Sequence, residues 1–280
     1  MIATTASDVS AVICTMNSIS GIEQCLISLR DSGVGQIVVV DANSTDGTKE
    51  VAEESADLVL RDTGQGLGNA RNIGIAQTTG RLILNMGSDN VLPKGELQKM
   101  INYLREGDFR GVSAQTRVSG QNYVAVGLNV WRAGRFPEGE RPVIGTPTLF
   151  EANLLRSDPY DPSRRFSDDS ELCERWTQNH NARFAISDAV CLELGKSTWS
   201  EVKIRAKMYG ISDHEIYSQG EEMGWRTARK LKSITHPLVA DLITPLRHST
   251  PIQAISATPF LAFFTGCRYL GWIEQKKKPR

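Results

Sequence analysis

The feature that most constrains this 280-residue chain is an alternation in its first third. Short apolar runs rich in β-branched residues each break at a polar tip and give way to residues at helical spacing. Residues 9–14, 36–40 and 81–86 read as strands, with a weaker run at 56–60. Between the first two, Ser20 to Glu23 reads as a capping box, and Ile22, Cys25, Leu26 and Leu29 follow on one helical face. Strand and helix in strict succession build βαβ units, and consecutive units build a parallel sheet with helices on its faces. The expected class is α/β, a Rossmann-like mixed but mainly parallel sheet flanked by helices.

Further along, Val112, Ala114, Thr116 and Val118 alternate as in a half-buried strand, and Val124, Leu128 and Trp131 have helical spacing. Residues 132–148, rich in Arg, Gly and Pro, read as a loop, and residues 182–186 and 190–194 as two short strands. After Trp199 the pattern is mostly helical. The expected division is a main domain over residues 1–198 and a helical C-terminal region over 199–280.

Composition narrows the function classes. Lys+Arg and Asp+Glu balance at 32 each, so no bulk charge draws the chain to nucleic acid. Five cysteines, odd in number and without a C-x-x-C pair, suit a reducing cytoplasm better than a disulfide framework or a zinc site. The first ten residues lack the basic start and apolar core of a secretory signal. Residues 251–273 are apolar and aromatic but interrupted by Gln253, Thr258, Pro259 and Arg268, which reads as a docking segment rather than a membrane span.

Three polar tips close three of the strands: Thr15 to Asn17, Asp41 to Ser44, and Ser88 to Asn90. In an open parallel sheet such tips share one edge, where ligands bind. Each tip alone is equally an Asx-turn or a helix cap. Arg71, near a helix start, adds a cation suited to phosphate or to an ion pair. Gly64, Gly66 and Gly68 imitate a dinucleotide fingerprint, but they follow the third strand with the wrong spacing.

Together, residues 12–17, 39–48, 68–74 and 88–93 resemble the family 2 glycosyltransferases, whose fold is the nucleotide-sugar-binding GT-A fold. The resemblance covers roughly residues 9–100. It implies a nucleotide-diphosphate sugar donor, an acceptor hydroxyl on a glycan, a lipid-linked molecule or a small molecule, and a divalent cofactor, Mg²⁺ or Mn²⁺. By the same resemblance Thr15, Asn17, Asp41, Ser44, Arg71 and Ser88 line the nucleotide, and Asp89 is the last acid of an Asp-x-Asp metal motif. Here the chain departs from the family, because Gly87 stands where the first acid is expected.

Downstream, Asp168 and Asp169 precede a helix that contains Arg175, as the family's acid pair does. The analogy makes Asp169, or failing it Asp168, the general base of an inverting displacement; the bland reading is a helix cap. Asp169 is in phase with Leu172 and Trp176, which favours it as the inward acid. A late metal-binding His cannot be chosen from His180, His214, His236 and His248. Arg164, Arg165, Arg132, Arg135 and Arg141 suit an anionic ligand or a solvated loop equally.

The tail has two readings. Its aromatic residues beside Lys276 to Lys278 and Arg280 suit an anionic inner membrane face, or they pack on the protein or in a homodimer. The rival to an enzyme is a non-catalytic nucleotide-sugar-binding or membrane-docking protein with a degraded metal motif.

Overall fold

The structure, a computed structural model, describes residues 5–162, 168–195 and 197–277. Arg164, Arg165, Lys278 and Arg280 lie outside the described residues. In chain order the elements are β1 (Val9–Thr15), α1 (Ile22–Asp31), β2 (Gln36–Asp41), α2 (Thr48–Ser55), β3 (Leu58–Arg61), α3 (Leu67–Ile75), β4 (Leu82–Gly87), β5 (Asn90–Val91) and α4 (Glu96–Glu106). Then come β6 (Gly111–Val118), α5 (Tyr123–Arg135), β7 (Gly139–Glu140), β8 (Thr148–Glu151), α6 (Ala152–Ser157), α7 (Asp168–His180) and β9 (Phe184–Glu193). The chain continues with α8 (Trp199–Glu222), α9 (Thr227–Pro237), a π-helical stretch (Leu238–Ile243), α10 (Thr244–Arg247) and α11 (Pro251–Lys276). They form two compact units, residues 1–116 with 138–194, and residues 117–137 with 195–280.

In the first unit the sheet runs β3-β2-β1-β4-β8-β6-β9-β5. The half that carries the polar tips, β3 through β4, is parallel, and β8 joins β4 antiparallel. Strand alternation divides the core between two faces. Ile13, Val39 and Leu84 point one way, onto Cys25, Leu26 and Leu29 of α1 and Met100, Ile101 and Leu104 of α4. Val12, Ile83 and Phe150 point the other way, onto Leu172 and Trp176 of α7. On this second face α3 lies against β1: a Cβ on Gly74 would stand 2.5 Å from Val12 Cγ1, so only glycine permits the approach.

Three local expectations change. The N-cap of α1 is Gly21, which makes no side-chain cap bond, so the capping box at Ser20 does not form. The two short strands at 182–194 are one ten-residue strand, β9. Its polar interruption at Ser187 is absorbed because the buried hydroxyl donates to the Ser113 carbonyl at 3.0 Å. Helix α5 extends through Arg135, shortening the expected loop.

The second unit is built from α5 and α8 through α11. Val124, Leu128 and Trp131 of α5 pack with Val202 and Ala206 of α8 and with Phe260, Leu261 and Phe264 of α11. Of the two readings of the tail, the inward one holds for these aromatic residues: Phe260 and Phe264 are fully buried. Arg135 is committed as well, bonded to the buried Asp241 at 2.6 Å. No helix among the described residues is long and apolar enough to cross a membrane.

Candidate functional site

The parallel half of the sheet reverses its strand order between β1 and β4, and such a reversal opens a crevice at the carboxyl ends of the strands. The three expected tips meet there. Thr15 and Asp41 are register partners, as are Cys14 and Gly87. Asp41 accepts from the Ser44 amide at 2.9 Å and from its hydroxyl at 2.5 Å. That hydroxyl oxygen accepts from the Asn17 amide at 2.8 Å, while Asn17 Oδ1 accepts from the Thr45 amide at 2.9 Å. Ser88 reaches Ser18 at 2.9 Å, tying the third tip to the first. The Thr15 hydroxyl is buried and has no hydrogen-bond partner among the described residues.

Asp89 is half-buried just past β4, and its carbonyl accepts from the Leu194 amide at 2.7 Å. Gly87 shapes its surroundings: a Cβ there would stand 2.9 Å from both Asp89 Oδ1 and Asn90 Oδ1. The absence of a side chain at Gly87 is therefore what lets these two groups fold back over the strand end. No cluster of three or more His, Cys, Asp or Glu side chains able to hold a metal occurs among the described residues. The donor set suits a hydrated ion of the Mg²⁺ type, which takes one or two carboxylates together with phosphate and water.

A second polar group lies on the α3 and α7 face of the sheet. Arg71 Nη1 donates to Asp168 Oδ2 at 2.6 Å and to Asp169 Oδ1 at 2.8 Å, and Nη2 donates to Thr146 Oγ1 at 2.7 Å. The Tyr160 ring lies 5.0 Å from the guanidinium carbon. Its hydroxyl donates to Asp169 Oδ1 at 3.3 Å and accepts from Asn85 Nδ2 at 3.0 Å. An amide nitrogen only donates, so the one phenolic proton is left for the carboxylate. Asp169 Oδ2 accepts no hydrogen bond among the described residues, and the side chain keeps 23% of its surface.

Burial raises the pKa of Asp169; Arg71 opposes the rise and Asp168 adds to it. Burial would lower the pKa of Arg71, but Asp169, Tyr160 and Asp168 outweigh it and keep the guanidinium charged. Burial likewise drives the Tyr160 phenol well above its usual range and the Cys14 thiol up to about 12. Cys14 links the two polar groups. Its thiol feels Arg71 and Asp168 while its backbone lies opposite Gly87 in the ladder.

Among the histidines only His180 belongs to the sheet unit. It contacts Asp158 at 2.9 Å from the far end of α7, about 18 Å along the helix from the acid pair. His214, His236 and His248 lie in the helical unit.

A profile described as "Glycosyl transferase family 2" matches residues 10–154, more than half of the chain. The chain belongs to glycosyl transferase family 2. Among similar proteins, the succinoglycan biosynthesis protein ExoO of Rhizobium meliloti (strain 1021) is 31% identical over 157 residues, which is 53% of this chain and 43% of ExoO. The low-salt glycan biosynthesis hexosyltransferase Agl6 of Haloferax volcanii is 34% identical over 108 residues, 37% of this chain and 26% of Agl6. The aligned region thus spans less than half the length of either relative. S. aureus TarS, solved in complex with UDP-GlcNAc, superimposes with a TM-score of 0.52 at 15% identity, covering 97% of this chain and 93% of that one. The shared fold is GT-A.

Three residues of the buried group escaped sequence reasoning: Asn85, Thr146 and Tyr160. Asn85 carried a signal, because a polar residue inside an apolar strand must find a partner once buried. Thr146 and Tyr160 sit in turn-rich segments where neither period applies.

Proposed function

We propose that the chain is a glycosyltransferase that moves a sugar from a nucleotide-diphosphate donor to an acceptor hydroxyl in one inverting displacement. The observation that supports this best is the state of Asp169: one oxygen is held by Arg71 and Tyr160, and the other accepts no hydrogen bond among the described residues. A carboxylate so fixed, with its pKa raised by burial, is arranged to take a proton. In this mechanism Asp169 Oδ2 receives the acceptor's hydroxyl proton as the acceptor oxygen bonds to the anomeric carbon. The bond from that carbon to the diphosphate oxygen breaks on the opposite face. Arg71 holds both acids in register and compensates their buried charge.

At the strand tips we assign Thr15, Asn17, Asp41 and Ser44 to the nucleoside. The buried Thr15 hydroxyl, without a partner among the described residues, is a group that a ligand could satisfy. Ser88 lies at the same edge. Asp89 would hold a divalent ion together with the diphosphate, and when bound that ion neutralises charge on the leaving group. Gly87, which leaves the tip with a single acid, favours a second reading as a nucleotide-sugar-binding protein without catalysis.

The test pairs binding with turnover. Uridine diphosphate sugars, chosen first because TarS was solved with UDP-GlcNAc, are screened by thermal shift with and without Mn²⁺. Donor turnover is then compared between the native chain and Asp169→Asn. A stabilising donor whose turnover drops about 10²–10⁴-fold in the variant supports the enzyme. Stabilisation without turnover by the native chain supports the binding protein, and no stabilisation by any nucleotide sugar counts against both.

A further inference from the structure

Asp169 Oδ2, the oxygen that accepts no hydrogen bond among the described residues, has a neighbour that the transfer reaction as written leaves unexplained. Gly145 is exposed, in the segment between β7 and β8. A Cβ built on it would stand 3.9 Å from Asp169 Oδ2 and, its chain neighbours aside, within 4 Å of no other atom among the described residues. The side chain that glycine lacks would point at the free oxygen of the acid and otherwise into open space.

The fold does not require glycine at this position. Gly74 and Gly111 are forced by close packing, their Cβ positions falling 2.5 Å from Val12 and 2.6 Å from Phe150, and Gly139 by its φ of +114°. Gly145 has neither a positive φ nor a crowded Cβ. The residues around it are nonetheless fixed. Ile144 is buried in one core cluster with Leu172 and Trp176, Thr146 accepts from Arg71 at 2.7 Å, and the Pro147 carbonyl accepts from the Ala114 amide at 3.1 Å. An anchored strap thus carries an open position past the acid.

We propose that Gly145 determines which acceptors reach Asp169: the space left by its missing side chain is where the carbon bearing the acceptor hydroxyl sits. This rests on the reading of Asp169 as the base. A hydroxyl donating to a carboxylate oxygen lies about 2.5–2.7 Å from it, and the carbon that carries the hydroxyl is one bond further out, close to the range of the Cβ. A side chain at 145 and an acceptor carbon therefore compete for one volume. Water brings no carbon, so it reaches Oδ2 past a side chain that stops an alcohol. The acceptors admitted by glycine include hydroxyls on ring carbons, whose two ring substituents need that room.

The first measurement needs no donor. A water-soluble carbodiimide adds to a reachable carboxyl, glycine ethyl ester displaces the urea to leave an amide, and peptide mass spectrometry locates the product, with the exposed Glu140 as internal standard. Asp169 is expected to be labelled in the native chain and to lose the label, relative to Glu140, in Gly145→Val, with Gly145→Ala between them. The thermal midpoint stays in place, because the position is exposed and its Cβ meets no crowding. No label on Asp169 in the native chain, or a label unchanged in Gly145→Val, overturns the proposal. The second measurement follows UDP-GlcNAc, as hydrolysis and as transfer to methyl glucoside. The ratio of transfer to hydrolysis is expected to fall roughly 10–200-fold in Gly145→Val, the span that a methylene commands in a fitted pocket. An unchanged ratio overturns the proposal. A chain that shows the expected labelling but turns over no nucleotide sugar counts against the transfer reading, and not against the access that Gly145 gives to Asp169.

Discussion

Arg71 and Asp169, 98 residues apart in sequence, are joined by a 2.8 Å bond from Nη1 to Oδ1, and the same nitrogen lies 2.6 Å from Asp168. One buried cation therefore holds two carboxylates. Removing it leaves negative charge without compensation, which costs about 3–5 kcal/mol in buried sites. Arg71→Met should lose that much stability at about pH 8. Without the arginine, which holds the pKa of Asp169 down, Asp169 titrates at higher pH, so the deficit shrinks as pH falls and that acid becomes neutral. Urea melts at about pH 8 and about pH 5 measure this; a deficit that does not change with pH would contradict the charge argument.

The Tyr160 hydroxyl directs its proton to Asp169 and so favours the ionised acid. In the proposed mechanism Asp169 acts deprotonated, so turnover should fall as pH drops through its raised pKa. The acidic limb of kcat/KM should lie above the 3.8 of an ordinary aspartate. Tyr160→Phe removes the one stabilising hydroxyl, and the limb should move to higher pH while the rate at the alkaline plateau is largely kept. A loss of rate equal at every pH would assign Tyr160 to packing alone.

How much of this was legible follows from which interactions are local. The tips at Thr15, Asp41 and Asp89 could be read because short apolar runs, buried on both faces, deliver them to the same end of neighbouring parallel strands. The acid pair could be read as well, yet its phase could not choose between members: Asp168 and Asp169 lie four and three residues before Leu172 and so share its face. The structure uses both on Arg71, and Asp168 is the more buried of the two. That Arg71 faces these acids depends on α3 and α7 packing on one side of the sheet, a contact no spacing in the chain encodes. The aromatic tail shows the same limit: Phe260 and Phe264 suit a lipid face or a protein core equally until α5 and α8 are seen to cover them.

Gly87 offers a direct probe of the strand tip. Aspartate there would place its Cβ 2.9 Å from Asp89 Oδ1 and Asn90 Oδ1, both at the ends of side chains that can turn aside. Two carboxylates would then face one another, which is unfavourable without an ion and favourable with one. Gly87→Asp should lower the thermal midpoint in chelator and gain more from Mn²⁺ than the native chain does. Thermal shifts with Mn²⁺ and donor, against chelator, give the comparison. An equal gain in both proteins would place the ion elsewhere than at Asp89.

In the helical unit Asp241 is fully buried within the π-helical stretch. Its Oδ1 accepts from Trp131 Nε1 at 3.0 Å and Arg135 Nη1 at 2.6 Å, and its Oδ2 from Arg268 Nη1 at 2.7 Å. Arg268 is also held by Asp213, at 2.6 and 2.7 Å, whereas among side-chain carboxylates at the described residues Arg135 is paired with Asp241 alone. Asp241→Ala therefore strands one buried arginine more than the other, and a loss of about 3–5 kcal/mol is expected. Adding Arg135→Met to that variant removes the stranded charge and should recover part of the loss, whereas Arg268→Met would leave Asp213 without its partner. Equilibrium unfolding of the two double variants separates these cases. Equal recovery in both would mean that Asp241 serves the two arginines alike.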